Sequence, residues 1–368
     1  MSRLKILFLV TAILLFGTHP AFATNYAVGT CEPQLKSYAK INDAMVAVPA
    51  GSTVEVCPGT YPEQVSIPRA ITLVGITSGN SDQVVITVPS GGLAVTASPY
   101  APQVETYSGP VNITNITVDG TGNNLNGSAY LAGIYYGPGS SGVIKDVTTR
   151  YQLDSGHGFG IFADNTNSTT ELLTIEDCSV HDFDYTGISV RGNYTATIKA
   201  NHVNGSTVTT AVFGIADVSA GSITDNIVIG PGASVNSQGI TIQTPSATVT
   251  GNTVTNWFYG FVDFAAASYT SNTLRDTAYG VYLEVAGAKV ESNTITQSVE
   301  RGIELNCFAG TVKSNTINDA PIGLDDVPSG LSTTNTYFNV SSFRTTCADA
   351  SAALPKGMAP PRRPTSES

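Results

Sequence analysis

Asn252-Thr253-Val254, Asn272-Thr273-Leu274, Asn293-Thr294-Ile295 and Asn315-Thr316-Ile317 restate one phrase at intervals of 20, 21 and 22 residues. Eight or nine residues after each Asn comes a glycine with alternating residues behind it: Gly260-Phe261, Gly280-Val281-Tyr282-Leu283, Gly302-Ile303-Glu304-Leu305 and Gly323-Leu324. Toward the amino terminus the glycine recurs at Gly239, Gly214, Gly187, Gly160 and Gly133, the last three steps being 27 residues each. A period of this size marks stacked, similar units. Within each unit, segments such as Ala288-Lys289-Val290-Glu291 alternate apolar and polar residues as half-buried strands do. Gly, Asn, Ser and Thr separate these segments, and none between them is long enough for a crossover helix. The expected fold is therefore all-β: a single-stranded, right-handed parallel β-helix, or solenoid, of about eleven coils.

The Asn of the phrase has two mechanical uses in such a coil. Asn tolerates the left-handed backbone of a tight corner. Its amide also bonds to the same amide one coil away, forming a ladder along the solenoid. Both uses are structural.

The chain has 368 residues, 12% of them charged and a net charge of −11. Residues 1–23 have the form of a secretory signal peptide: Arg3 and Lys5, an apolar run from Ile6 to Phe16, and Ala21-Phe22-Ala23 before the cleavage point. That run is too short to span a bilayer, and no other span is expected. Cleavage leaves 15 Lys+Arg against 28 Asp+Glu, a net charge of −13. This acidity argues against a nucleic-acid partner, which needs a basic footprint. The expected location is secreted, either extracellular or periplasmic. Export permits disulfides, and pairing Cys31 with Cys57 and Cys307 with Cys347 would staple both ends, although spacing alone does not fix connectivity. Cys178 falls in the phase of the ladder Asn and is expected to be buried. No Cys or His spacing resembles a zinc site. No metal or cofactor is expected, with calcium left open, and the chain is expected to be monomeric.

Ser37 to Val48 carries Tyr38, Ile41, Met45 and Val48 at helical spacing, so an amino-terminal capping helix is expected. The solenoid is expected to fill residues 24–349, with a disordered tail at 350–368. Residues 98–110 and 120–130 are expected to be loops extruded from early coils.

Val56-Cys57-Pro58-Gly59-Thr60-Tyr61-Pro62-Glu63-Gln64-Val65, followed by Ile71-Thr72-Leu73-Val74-Gly75, resembles the opening of pectin-lyase-like β-helix proteins. That superfamily includes pectinesterases, polysaccharide lyases, polygalacturonases and NosD-like periplasmic proteins. With the later coils the resemblance covers roughly residues 38–345. It implies the fold; its matching residues are turns and core strands. Gly59-Thr60-Tyr61-Pro62-Glu63 resembles the first pectinesterase motif, but the later Gln-Asp-Thr-Leu and Asp-Phe-Ile-Phe-Gly motifs are absent. Gly156-His157-Gly158 resembles the His-Gly element of polygalacturonases, without that family's Asn-Thr-Asp, Asp-Asp and Arg-Ile-Lys elements. His181-Asp182-Phe183-Asp184 resembles the Asp-Pro-His-Asp element of mannuronan epimerases in a different order.

Chemistry concentrates between Arg150 and Arg191. At an offset of 27 four pairs become complementary: Arg150 with Asp177, Asp154 with His181, His157 with Asp184, and Asp164 with Arg191. Coils about 4.8 Å apart would bring each pair into contact. The candidate catalytic set is Asp154, His157, Asp164, His181, Asp184 and Arg191. A histidine would act as acid or base beside a carboxylate, and Arg191 would clamp a substrate carboxylate. The plainer alternative is that stacked opposite charges only stabilise neighbouring strands. Gln243, Trp257, Tyr259, Tyr282, Glu284 and Glu304 form a candidate substrate-binding face of aromatics and polar groups. The expected function is binding or cleavage of an extracellular polysaccharide along one face, by a lyase or glycoside hydrolase if by an enzyme. The alternative is a non-catalytic surface or periplasmic solenoid for structure or adhesion.

Overall fold

The computed structural model describes residues 24–232 and 236–347. The expected signal peptide and the expected tail lie outside the described residues. Three ladders of parallel strands wind along one axis. Sheet A contains Tyr100–Thr106, Tyr130–Tyr136, Gly158–Asn165, Thr186–Gly192, Tyr259–Asp263, Tyr279–Leu283 and Arg301–Glu304. Phe213–Thr224 and Gln238–Thr250 join sheet A with their first halves and sheet B with their second, and Thr311–Val327 runs through all three sheets. Sheet B also contains Gly142–Lys145, Glu171–Glu176, Tyr194–Lys199, Ser268–Thr270 and Lys289–Glu291. Sheet C contains Thr148–Arg150, Ser179–His181, His202–Asn204, Ile227–Ile229, Thr253–Thr255, Thr273–Arg275 and Thr294–Thr296.

The core is a set of apolar columns. Ile134, Ile161, Ile188, Ile215, Ile240, Phe261, Val281, Ile303 and Leu324 pair in register down sheet A and are fully buried. The recurring glycines form their own column beside it. A Cβ on Gly280 would lie 2.5 Å from the Gly302 carbonyl oxygen, and one on Gly302 would lie 2.7 Å from that of Gly323. The same contact repeats at Gly133, Gly160, Gly187, Gly214, Gly239 and Gly260. The period in the sequence is thus a steric requirement: at this corner successive coils approach too closely for any side chain.

The amide ladder is present. Each Nδ2 of Asn201, Asn226, Asn252, Asn272, Asn293 and Asn315 donates to the Oδ1 of the next, ending on Asn335, at 2.9–3.0 Å. Each backbone N–H donates to the same oxygen. The left-handed residue at this corner is not the Asn, however, but its predecessor: Ala200, Asp225, Gly251, Ser271, Ser292 and Ser314 all have φ between 54° and 72°. The Asn side chain is thereby released to face inward and bond along the axis. Cys178 occupies the ladder phase, buried, with its N–H donating to Asn201 Oδ1 at 3.0 Å.

The disulfides are Cys31–Cys57 and Cys307–Cys347. The amino-terminal helix is shorter than expected, Ile41–Ala47, because Lys36–Tyr38 joins Asn25–Val28 as a parallel strand. Glu63 accepts from the N–H groups of Ile41 and Asn42, serving two of the donors that a helix start leaves open. Ile41, Ala44, Met45 and Val48 enter the common core. No helix among the described residues is long and apolar enough to cross a membrane.

Candidate functional site

Alternation along sheet A sends every second side chain away from the core. Tyr135, Phe162, Ser189 and Ala216 pair in register on the outer surface of the early coils. Thr241, Val262, Tyr282, Glu304 and Asp325 continue the same surface in the later ones. Two aromatic clusters lie on it. In the first, Tyr100 stands 4.9 Å from Phe162, Phe162 stacks on Phe159 at 4.8 Å, and Tyr135 stacks on both Tyr100 and Phe162. In the second, Tyr259, Tyr279 and Tyr282 pack together with Phe258 and Phe264. Tyr259 and Tyr282 are largely hidden, but by each other and outside the barrel of coils.

Beside the first cluster Asp164 and Arg191 pair as the 27-residue offset requires, Arg191 Nη2 donating to Asp164 Oδ2 at 3.1 Å. Arg191 also donates to the Tyr100 hydroxyl, and its guanidinium lies 4.8 Å from the Phe162 ring centre. One coil on, Asp217 sits at a break in strand register between Ile215 and Val218 with φ of 63°. Its carboxylate accepts from Ser189 Oγ at 2.8 Å and from Gln243 Nε2 at 3.1 Å. Burial, partly offset by the Ser189 bond and Arg191, pushes the Asp217 carboxyl up to about 6. Asp217, Ser189 and Tyr100 were absent from the sequence-derived set. A β-bulge leaves no composition signal, and Tyr100 arrives from 91 residues away.

The other three expected pairs do not form. Between sheets C and A the second coil is four residues shorter, since Thr148 pairs with Ser179 (offset 31) but Phe159 with Thr186 (offset 27). Arg150 instead donates to Asp82 and Asp119, both at 2.8 Å, and Lys145 holds Asp177. Asp184 does not face the His157 ring. It accepts the backbone N–H groups of Asp154, Gly156 and Gly158 at 2.7–2.9 Å and thereby shapes the corner loop. Asp154 is not with His181. One oxygen accepts from Gly127 N–H at 2.6 Å, the other is buried with no partner among the described residues, and burial raises its carboxyl above the ordinary range. His157 turns to the Asp154 carbonyl and stands edge-on to Tyr130, at the rim of the first aromatic cluster. His181 lies on sheet C with Asp182, 2.7 Å away. The six expected catalytic residues thus divide among three places, and only Asp164 and Arg191 meet on the outer surface of sheet A.

Of the expected binding residues, Trp257 is corrected outright. It is fully buried, because left-handed Asn256 turns it into the core, where its Nε1 donates to the Val228 carbonyl at 3.3 Å. Glu304 is on the outer surface but enclosed beside Arg301 and Asp325. Arg301 Nε donates to both carboxyl groups, at 3.1 Å to Glu304, and the Arg301 guanidinium lies over the Tyr279 ring. Burial, reinforced by the Asp325 charge, pushes Glu304 up to about 8. Burial also opposes ionisation of Asp325, but hydrogen bonds from Thr345 and Arg301 outweigh it and hold that carboxyl low. Glu284 stays half-buried at the edge of the second cluster. Among the described residues no group of three or more His, Cys, Asp or Glu side chains is placed to hold a metal ion.

Residues 104–270 match the family described as right-handed β-helix region, and residues 228–344 match a family of unknown function, DUF1565. The chain is a parallel β-helix, in agreement with the right-handed β-helix match over residues 104–270. This β-helix is similar to the GH136 lacto-N-biosidase of Eubacterium ramulus, with a TM-score of 0.58, 10% identity, and 87% of this chain and 68% of that one covered. It is also similar to the catalytic unit of a GH87 α-1,3-glucanase of Streptomyces thermodiastaticus, with a TM-score of 0.51, 14% identity, and 91% and 71% covered. At these identities the likeness is one of fold. No curated protein matches the β-helix sequence.

Proposed function

We propose that this β-helix is exported and engages an extracellular polysaccharide along the outer surface of sheet A. The observation that carries this reading is the surface itself. Two clusters of aromatic rings lie outside the coils, each bordered by an arginine held between carboxylates and tyrosines. Aromatic faces give a sugar ring apolar contact, and the flanking polar groups pair with its hydroxyls. Two disulfides and fold neighbours named for glycan cleavage support the same reading.

Tyr100, His157, Asp164, Arg191 and Gln243 form the early part of this surface, and Tyr259, Tyr282, Glu284 and Glu304 the late part. The test is retardation of the purified protein in native gels containing one polysaccharide each, across plant, algal and bacterial types. Arg191→Ala should weaken retardation by at least about tenfold, the expected effect of losing a half-buried charged anchor. Retardation by none of the polysaccharides, or equal retardation of the variant, would remove the proposal.

The alternative is a purely structural solenoid. It is favoured by the way Asp184, Lys145 and Arg150 spend their charges on neighbouring coils.

A further inference from the structure

We infer that a cavity at the corner between sheets B and C binds a hydroxylated primary amine of the amino-sugar class, with Asp146 and Asp177 holding its ammonium group. This site is on another surface than sheet A and is independent of the polysaccharide reading. The short segment before Val84–Thr87 builds its roof. Ser81 Oγ meets Thr148 Oγ1 at 2.9 Å, and Asp82 accepts from Thr117 Oγ1 at 3.0 Å and from Arg150 Nη1 at 2.8 Å. Thr117 pairs with Val85, and Thr148 with Thr117, so the segment leans forward over two coils. The hollow beside it has a volume of about 330 Å³.

The floor is the corner itself. Asn115, Asp146 and Asp177 follow one another there on successive coils, with φ of 56°, 51° and 56°. That left-handed turn sends the next residues, Ile116, Val147 and Cys178, into the core and leaves the corner side chains outside. Asn80, Ser81 and Ser179 complete the lining, which holds no aromatic ring and one apolar side chain, the buried Val147. The volume is at the small end of ligand sites, about 300–1,000 Å³, and admits a single sugar ring.

The ligand class follows from charge and hydrogen bonding. Lys145 Nζ holds Asp177 and Glu176, both at 2.8 Å, and Arg150 holds Asp82 and Asp119. Asp146 forms no ion pair and its side chain accepts no hydrogen bond among the described residues; only its backbone N–H is engaged, by the Glu176 carbonyl. The carboxylates of Asp82, Asp119, Asp146, Glu176 and Asp177 thus outnumber the cations of Lys145 and Arg150, which repels an anion and attracts a cation. Among the described residues no group of three or more His, Cys, Asp or Glu side chains is placed to hold a metal ion, so the fitting cation is organic. Its ammonium donates to Asp146 and Asp177 in charge-assisted bonds. Its hydroxyls meet the Ser179 hydroxyl and the side-chain amides of Asn80 and Asn115. An acetylated amine has lost the charge and gains nothing from the two carboxylates.

The experiment titrates the purified protein with glucosamine, N-acetylglucosamine and glucose and reads affinity by ligand-observed NMR. Glucosamine should bind at least about tenfold more tightly than the other two, and Asp146→Asn should weaken it by about tenfold, the loss of one charged hydrogen bond. Asn accepts the left-handed backbone as Asp does, and circular dichroism checks the fold. Asp225→Asn is the matched control. It removes the same charge from the same corner two coils beyond Asp177, where φ is again 56°, outside the cavity lining. Its affinity for glucosamine should equal that of wild type. Ser179→Ala leaves every charge in place, should lose roughly two- to tenfold, and serves if Asp146→Asn does not fold. No binding of glucosamine, equal binding of the three sugars, unchanged affinity in a folded Asp146→Asn or Ser179→Ala, or an equal loss in Asp225→Asn each overturns the inference. Polysaccharide retardation is measured separately and is moved by none of these outcomes.

Discussion

The coils from Asn252 to Asn318 and those from Tyr100 to Gly192 are built on one plan and differ in regularity. In the late coils the offsets of all three sheets agree closely. Thr253 pairs with Thr273 and Tyr259 with Tyr279, both 20 apart. In the early coils sheet C advances 31 residues where sheet A advances 27. The ladder of Asn amides begins only at Asn201, and the coils before it close their corner with other residues, Cys178 among them. Regular coils announce the fold, and the coils from Tyr100 up to the bulge at Asp217 carry the extra loops and the half-buried Arg191. The early part of the proposed surface sits where the repeat is broken, because a broken repeat is what aims side chains away from the common pattern.

The largest effect is expected from breaking the late coils at their tightest point. Gly280→Ala places a methyl 2.5 Å from the Gly302 carbonyl oxygen and 2.6 Å from the Ile295 side chain, and neither neighbour has room to move. A loss of about 3–5 kcal/mol is expected by urea unfolding. A change below about 1 kcal/mol would show that the glycine column is not a steric requirement.

The same contrast explains what was legible in the sequence. The glycine recurrence and the Asn phrase follow from contacts repeated at one fixed spacing, so periodicity alone exposes the fold, and with it the ladder phase of Cys178. The Asp164–Arg191 pair was legible because it lies within sheet A, where 27 is the true offset. The pairs Arg150–Asp177, Asp154–His181 and His157–Asp184 were misplaced because each involves a residue in sheet C or the corners, where four residues are missing from the second coil. Trp257 was misplaced because an outward turn in sequence becomes an inward one when Asn256 takes a left-handed backbone. Asp217 was invisible, since nothing local marks a bulge imposed by neighbouring coils.

The next effect sharpens the comparison at the last coils. The folded Glu304 carboxyl sits at about 8 against an ordinary value of 4.5, so the folded state binds the extra proton. Its stabilising contribution is complete below pH 4.5 and is lost as pH rises through about 8. Asp325, held low, acts in the opposite direction at acid pH and loses its contribution as pH falls. From pH 5 to pH 9 the wild type should lose about 2–4 kcal/mol, and Glu304→Gln should flatten that slope. Urea unfolding at the two pH values decides it: an unchanged slope in the variant assigns the pH dependence elsewhere.

The smallest effect is expected at His181, and it tests the early coils most directly. A 27-residue offset throughout would set this imidazole against Asp154 and make it part of an acid–base pair. The true sheet C offset puts it on another surface of the solenoid, one-third exposed, with Asp182 as its partner. An ion pair at that exposure contributes less than about 1 kcal/mol. His181→Ala should therefore melt within a few degrees of wild type and bind polysaccharide unchanged, whereas Arg191→Ala should not. A His181→Ala protein that folds normally but no longer binds would place the working surface at the corner of sheets C and A. The early part of the proposed surface would then have to be redrawn around Asp182.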